Sequence, residues 1–168
     1  MLSDALIHSA VALLSSTTKE SAIREVISSC SVFHSLYHSN SFIDAVLKRE
    51  LLDTTGIGHG IGIAHGNIAE VTHLTIGMGI SKEGVQYYAK DGKKVHILFV
   101  IASSPQLQKE YLRTLSTLLR IVYHPHVRED LLRAITEENH SHKVSHEVFM
   151  LLDMLETQRF ESYHKDVS

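Results

Sequence analysis

Apolar positions along this chain recur with two periods. Ala22, Ile23, Val26, Ile27 and Cys30 fall on one face of a helix, which predicts a first helix starting near Thr17. Thr17 and Glu20, three positions apart, have the spacing of a capping box at its start. Phe42, Ile43, Val46, Leu47 and Leu51 predict a second helix after Asn40, with those five side chains facing inward. Residues 9–14 fit a short strand or a helix equally well. The pattern then changes to period two, at Leu74, Ile76, Met78 and Ile80 and again at Val85, Tyr87 and Ala89. Asp91-Gly92 supplies a hairpin turn signal. Residues 95–102, VHILFVIA, are almost uninterrupted apolar sequence, the mark of a strand covered on both faces.

Helical spacing returns after Ser104-Pro105, an N-cap residue followed by a helix-first proline. Leu107, Tyr111, Leu112, Leu115, Leu118, Leu119 and Val122 form one broad stripe. Pro125 opens a further helix carrying Val127, Leu131, Leu132 and Ile135, and a last helix is expected from about Lys143 to Leu155. Two helices, several strands and three helices in that order predict an α/β fold: a mixed β-sheet with helices on both faces. Strand 95–102 should be central, with helix 105–122 packed on it.

The chain has 168 residues with a 43% hydrophobic and 21% charged content, which suits one soluble domain with a short C-terminal tail. A formal net charge of −3 lacks the basic footprint of a nucleic-acid binder. The N-terminal segment carries Asp4 and no early Lys or Arg, unlike a secretory signal, and no apolar run is long enough to span a bilayer. A lone cysteine, Cys30, forms no internal disulfide and suits a reducing cytoplasm.

Five of the nine glycines lie between Gly56 and Gly66. Their spacing matches neither the dinucleotide fingerprint nor the P-loop. A short strand is expected through Ile61 and Ile63, with His65 directly after it in an exposed loop. The thirteen histidines invite a search for metal ligands. His124 with His126, and His140, His142 and His146, are close in sequence, but no H-E-x-x-H or cysteine partner accompanies them, and no metal site or cofactor is expected. His65 reads either as a turn histidine bonded to backbone or as a nucleophile, since neutral imidazole accepts a phosphoryl group. Glycine-rich backbone and Arg49 just upstream are candidate anion donors.

K-R-E at 48–50, T-T-G-I-G-H-G-I-G-I-A-H-G at 54–66, D-G-K-K-V-H-I-L-F-V-I-A at 91–102 and L-R-T-L-S-T-L-L-R at 112–120 occur in an order that resembles the fructose/mannitol-type enzyme IIA domain of the bacterial phosphotransferase system. The nitrogen-regulatory branch is the most similar form, and the resemblance spans about residues 8–155 of a single domain, 1–168. It implies that His65 accepts phosphate from HPr or a related small phosphocarrier. It makes Arg49 the arginine beside the phosphorylation site and Glu50 the acid that follows it. It implies no metal and no cofactor, an apolar exposed rim around His65 for a docking partner, and glycines 60, 62 and 66 keeping that rim low.

Three positions depart from the family pattern. His59 replaces the asparagine of G-N-G, Ala64 replaces the proline before the active histidine, and Tyr111 stands where many members have a second histidine, with Arg113 two residues on. Tyr111 is expected near His65 as a neutral donor to the phosphate, with His59 either compensating or serving the local turn. The expected function is a cytoplasmic phosphohistidine carrier with a regulatory role, favoured by the lack of a fused IIB or membrane part. The alternatives are a transport component that hands phosphate to a separate enzyme IIB, and a regulator that binds partners with impaired phosphorylation.

Overall fold

The computed structural model describes residues 9–37, 40–136 and 145–165. Five strands form one mixed sheet: β1 (Val11–Leu13), β2 (Gly56–Gly58), β3 (Ile61–Asn67), β4 (Thr75–Val85) and β5 (Val95–Ser103), in the spatial order β1-β4-β5-β3-β2. The ambiguous segment 9–14 thus contributes an edge strand, β1, parallel to β4. β5 is central, antiparallel to β4 and parallel to β3.

Strict alternation along β5 explains its apolar run. Ile97, Phe99 and Ile101 enter one core; Leu98, Val100 and Ala102 enter the other. The first core is closed by α4 (Gln108–Val122), α5 (Pro125–Thr136) and α6 (His146–Lys165), through Leu118, Val122, Leu131 and Leu151 among others. The second is closed by α1 (Lys19–Ser29) and α3 (Asn40–Leu52), with a 3₁₀ turn at Ser31–Phe33 and the single-turn α2 (His34–Tyr37) between them. The fold is therefore the α/β sandwich expected from the pattern. Truncating Phe99, wholly buried at its centre, would cost about 3–5 kcal/mol.

Several local expectations are corrected. The N-cap of α1 is Thr18, without a side-chain cap bond, so Thr17 and Glu20 form no capping box; Glu20 instead pairs with Arg24 one turn on, at 2.9 Å. On α3 the buried set is Phe42, Ile43, Val46 and Glu50, while Leu51 is 86% exposed. The i+4 step from Val46 lands on Glu50, and Leu51 is turned away. On α4 Leu112 is 53% exposed, because only the C-terminal half of the helix lies fully on the sheet. β4 ends at Val85; Tyr87 and Ala89 stay buried in the loop that follows, which turns at Ala89–Gly92 through a 2.9 Å backbone bond. The last helix extends to Lys165 rather than Leu155. The start proposed at Lys143, residues His140 and His142, and the side chain of Ile135 lie outside the described residues.

Candidate functional site

His65 is a strand residue, not a loop residue. β3 pairs with β5 in unbroken register from Ile61↔Ile97 to Asn67↔Ser103, and His65 sits opposite Ile101. The glycines that suggested a loop have a different use. A Cβ on Gly66 would lie 2.8 Å from Val46 Cγ2 and 2.9 Å from Phe42 Cε2, so this glycine lets α3 pack directly on the strand. Gly62 faces Tyr87 and Leu98 in the same way, at 3.3 and 3.1 Å. Both point into the core behind the sheet, away from any partner at His65. Gly60, with φ +77°, serves the turn into β3.

Alternation along β3 puts the His65 side chain on the same face as Ile61 and Ile63, toward α4. There its ring lies 5.1 Å from the ring of Tyr111, tilted by 41°. Both residues are half-buried. The outer edge of β3 is covered by β2 only at the start of the strand, where the Ile63 N–H donates to the Thr55 carbonyl at 3.1 Å. Further along, Ile68 N–H bonds to Ser103 of β5. The N–H groups of odd-numbered residues on β3 therefore point to the outer edge, and that of His65 is directed where β2 no longer reaches.

Arg49 approaches from α3, which lies behind the sheet. Its Nη1 donates to the Asp53 carbonyl at 2.9 Å, holding the side chain across the C-terminal end of the helix. The guanidinium is near enough to act electrostatically on both His65 and Tyr111. Burial lowers the His65 pKa below the ordinary histidine value. The Arg49 charge lowers it further, and Glu50 and a hydrogen bond with the Ile63 backbone oppose this in part. His65 is thereby held as neutral imidazole near pH 7, the nucleophilic form. Burial raises the Tyr111 pKa, so its hydroxyl keeps its proton and remains a donor.

Glu50 has a structural setting. It is 8% exposed and accepts from Lys19 Nζ at 3.1 Å, Tyr87 Oη at 3.0 Å, the Thr55 N–H at 3.3 Å and the Thr55 hydroxyl. The Thr55 and Tyr87 hydroxyls are themselves 2.9 Å apart. This buried network ties α1, α3, the start of β2 and the loop after β4 together beneath Arg49. Lys19, Thr55 and Tyr87 carry no local signal of this role in the sequence; the i+4 spacing from Val46 to Glu50 is the one sign that an acid enters the core.

His59 lies at the other end of β3. His59 and Gly60 form the two-residue loop between β2 and β3, both with positive φ, 56° and 77°. That conformation belongs to type I′ hairpins, where asparagine is favoured. The His59 N–H donates to Asp91 Oδ2 at 2.9 Å, and its ring faces Tyr123 at 6.4 Å. From Ile61 to His65 alone the strand rises about 13 Å, so His59 serves the turn rather than the His65 environment. Arg113, two residues beyond Tyr111, is exposed and lines a separate cleft.

Comparison with known proteins fits this geometry. Residues 6–144 match the family model described as phosphoenolpyruvate-dependent sugar phosphotransferase system, EIIA 2. The chain is 35% identical over 121 residues to the fructose-specific EIIA component of Haloferax volcanii, covering 72% of this chain and 79% of that protein. It is 34% identical over 125 residues to the fructose-specific EIIABC component of Bacillus subtilis, covering 74% of this chain and only 20% of that longer protein. Among solved structures, the nitrogen regulatory protein IIA-Ntr from Neisseria meningitidis superposes with a TM-score of 0.66 at 25% identity, covering 88% of this chain and 94% of that one. The Escherichia coli IIA mannitol protein, in complex with phosphorylated IIB mannitol, has the same fold, with a TM-score of 0.60 at 22% identity and coverage of 84% and 93%. The chain belongs to the type 2 EIIA family of the phosphotransferase system. Among the described residues no helix is long and apolar enough to cross a membrane.

Proposed function

We propose that this protein is a phosphohistidine carrier whose acceptor is His65, charged by HPr or a related phosphocarrier. The observation that carries the reading is the composition of one spot: a half-buried imidazole on a strand edge that β2 leaves open, with the Tyr111 ring 5.1 Å away and Arg49 acting on it electrostatically.

In the transfer, the lone pair of an unprotonated His65 ring nitrogen attacks phosphorus in line. The new N–P bond forms as the donor's N–P bond breaks; the donor imidazole leaves with that electron pair and takes up a proton from solvent, while the N–H proton on the other ring nitrogen of His65 is released to solvent. The protein supplies position and donors rather than covalent chemistry of its own. Arg49 would take the phosphoryl oxygens through its planar fork. Tyr111 Oη and the outward His65 N–H would add neutral hydrogen bonds. Leu112, exposed next to Tyr111, offers apolar surface for docking.

A regulatory role is supported by the likeness to a nitrogen regulatory protein over nearly its full length. A second reading, delivery of phosphate to an enzyme IIB during fructose-type uptake, is supported by the extent of identity to a fructose-specific EIIA component and by a fold neighbour's complex with phosphorylated IIB. Phosphoenolpyruvate, enzyme I and HPr should together place one acid-labile phosphate on the protein, and His65→Ala should receive none. Undiminished labelling of that variant would remove His65 as the acceptor. Chasing the labelled protein with fructose-type IIB separates the two roles: rapid loss of label supports transport, and retention supports regulation.

A further inference from the structure

A cleft of about 730 Å³ is walled by α4, the start of β4 with the loop before it, and α6. That volume is in the range of small-molecule sites. Its apolar surface comes from Leu74, Ile76, Leu107 and Met154. Two charges of opposite sign, Glu110 and Arg113, line the same cleft from successive turns of α4. They are three residues apart, a spacing that permits an ion pair on a helix. No ion pair among the described residues joins them, and each faces the cleft separately. His73, on the β4 side, has Nδ1 3.1 Å from Thr72 Oγ1 and lines the same space.

We infer that this cleft binds a small 2-amino or 2-hydroxy acid with an apolar side chain. Arg113 would take the carboxylate, for which its planar fork is suited. Glu110 would accept from the amine or hydroxyl, and the side chain would cover Leu74, Ile76 and Met154. Both charges are exposed, so a plain fatty acid would gain nothing from Glu110, and a phosphate ester would bring a second negative charge beside it. The two charges, joined by no ion pair among the described residues and neighbours on one helix beside an apolar floor, favour a ligand with an anion at one point and a donor close by. Because α4 also carries Tyr111, a ligand here would share a helix with the His65 site. The binding claim itself does not depend on phosphoryl transfer.

The test uses the full-length, unphosphorylated protein and amide chemical-shift titrations with three probes: leucine, 2-hydroxy-4-methylpentanoate and leucine amide. Leucine and the hydroxy acid should shift residues of the cleft in a saturable way, and leucine amide, lacking the carboxylate, should not. Arg113→Gln should weaken binding about tenfold, the loss of one charge-assisted pair. Its side chain is exposed, so the fold should be retained, and an unchanged amide spectrum elsewhere would verify this. The inference is overturned if neither acid binds, if the shifts map outside the cleft, or if Arg113→Gln binds as tightly as the parent.

Discussion

Replacing Tyr111 asks how much of the phosphate's stability rests on a neutral donor. Its ring centroid is 5.1 Å from that of His65, and burial keeps the phenol protonated. A neutral hydrogen bond contributes about 1 kcal/mol net, and a charge-assisted one about twice that. Since about 1.4 kcal/mol changes a rate tenfold, Tyr111→Phe should shorten the lifetime of the phosphoprotein about fivefold. Tyr111→His should lengthen it by about the same factor, provided the new imidazole is protonated. Arg49 acts electrostatically at position 111, which opposes a second cation there until the phosphoryl dianion arrives. The gain from Tyr111→His should therefore be larger at pH 6 than at pH 8, whereas the loss from Tyr111→Phe should change little between them. The assay is the hydrolysis rate of purified, phosphate-labelled protein across that pH range. Equal lifetimes for parent, Phe and His variants at every pH would show that Tyr111 only packs against His65.

The His65 pKa should be found below the ordinary histidine value by NMR titration, and Arg49→Gln should raise it by removing a repulsive charge. Because folding lowers this pKa, the unfolded chain binds the proton more readily; the associated stability is complete above the unfolded value near 6.5 and fades as pH falls through the folded one. Glu50→Ala should cost about 2–3 kcal/mol in urea unfolding, since Lys19, Thr55 and Tyr87 all lose their shared acceptor. His59→Asn should leave both the unfolding midpoint and the phosphorylation rate close to the parent's, because the side chain serves a positive-φ turn far along β3 from His65.

The sheet and its two helical layers were legible because burial writes itself into periodicity. The run 95–102 could belong only to a strand covered on both sides, and it is the central one. What misled was local chemistry whose partners are distant in sequence. The glycines at 62 and 66 look like turn formers, yet they are strand positions thinned for Tyr87 and for Phe42 and Val46. Only the packing of α3 on β3 reveals this, so the local pattern around His65 reads as a loop although the residue lies on the strand. Glu50 reads as a surface acid until Lys19, Thr55 and Tyr87 converge on it from three other segments. Leu51 reads as inward-facing because apolar character is a stronger local signal than a buried network, yet it is exposed. Tyr111 beside His65 followed from the family pattern and a single helical stripe, and the structure puts the two rings together.

The central claim is that one of thirteen histidines receives the phosphate. Site mapping by tandem mass spectrometry, on protein phosphorylated by phosphoenolpyruvate, enzyme I and HPr and kept at neutral to alkaline pH, tests it most directly. The account predicts a single phosphohistidine at position 65. Phosphate found on His59, His73 or any other histidine, with His65 unmodified, would contradict it.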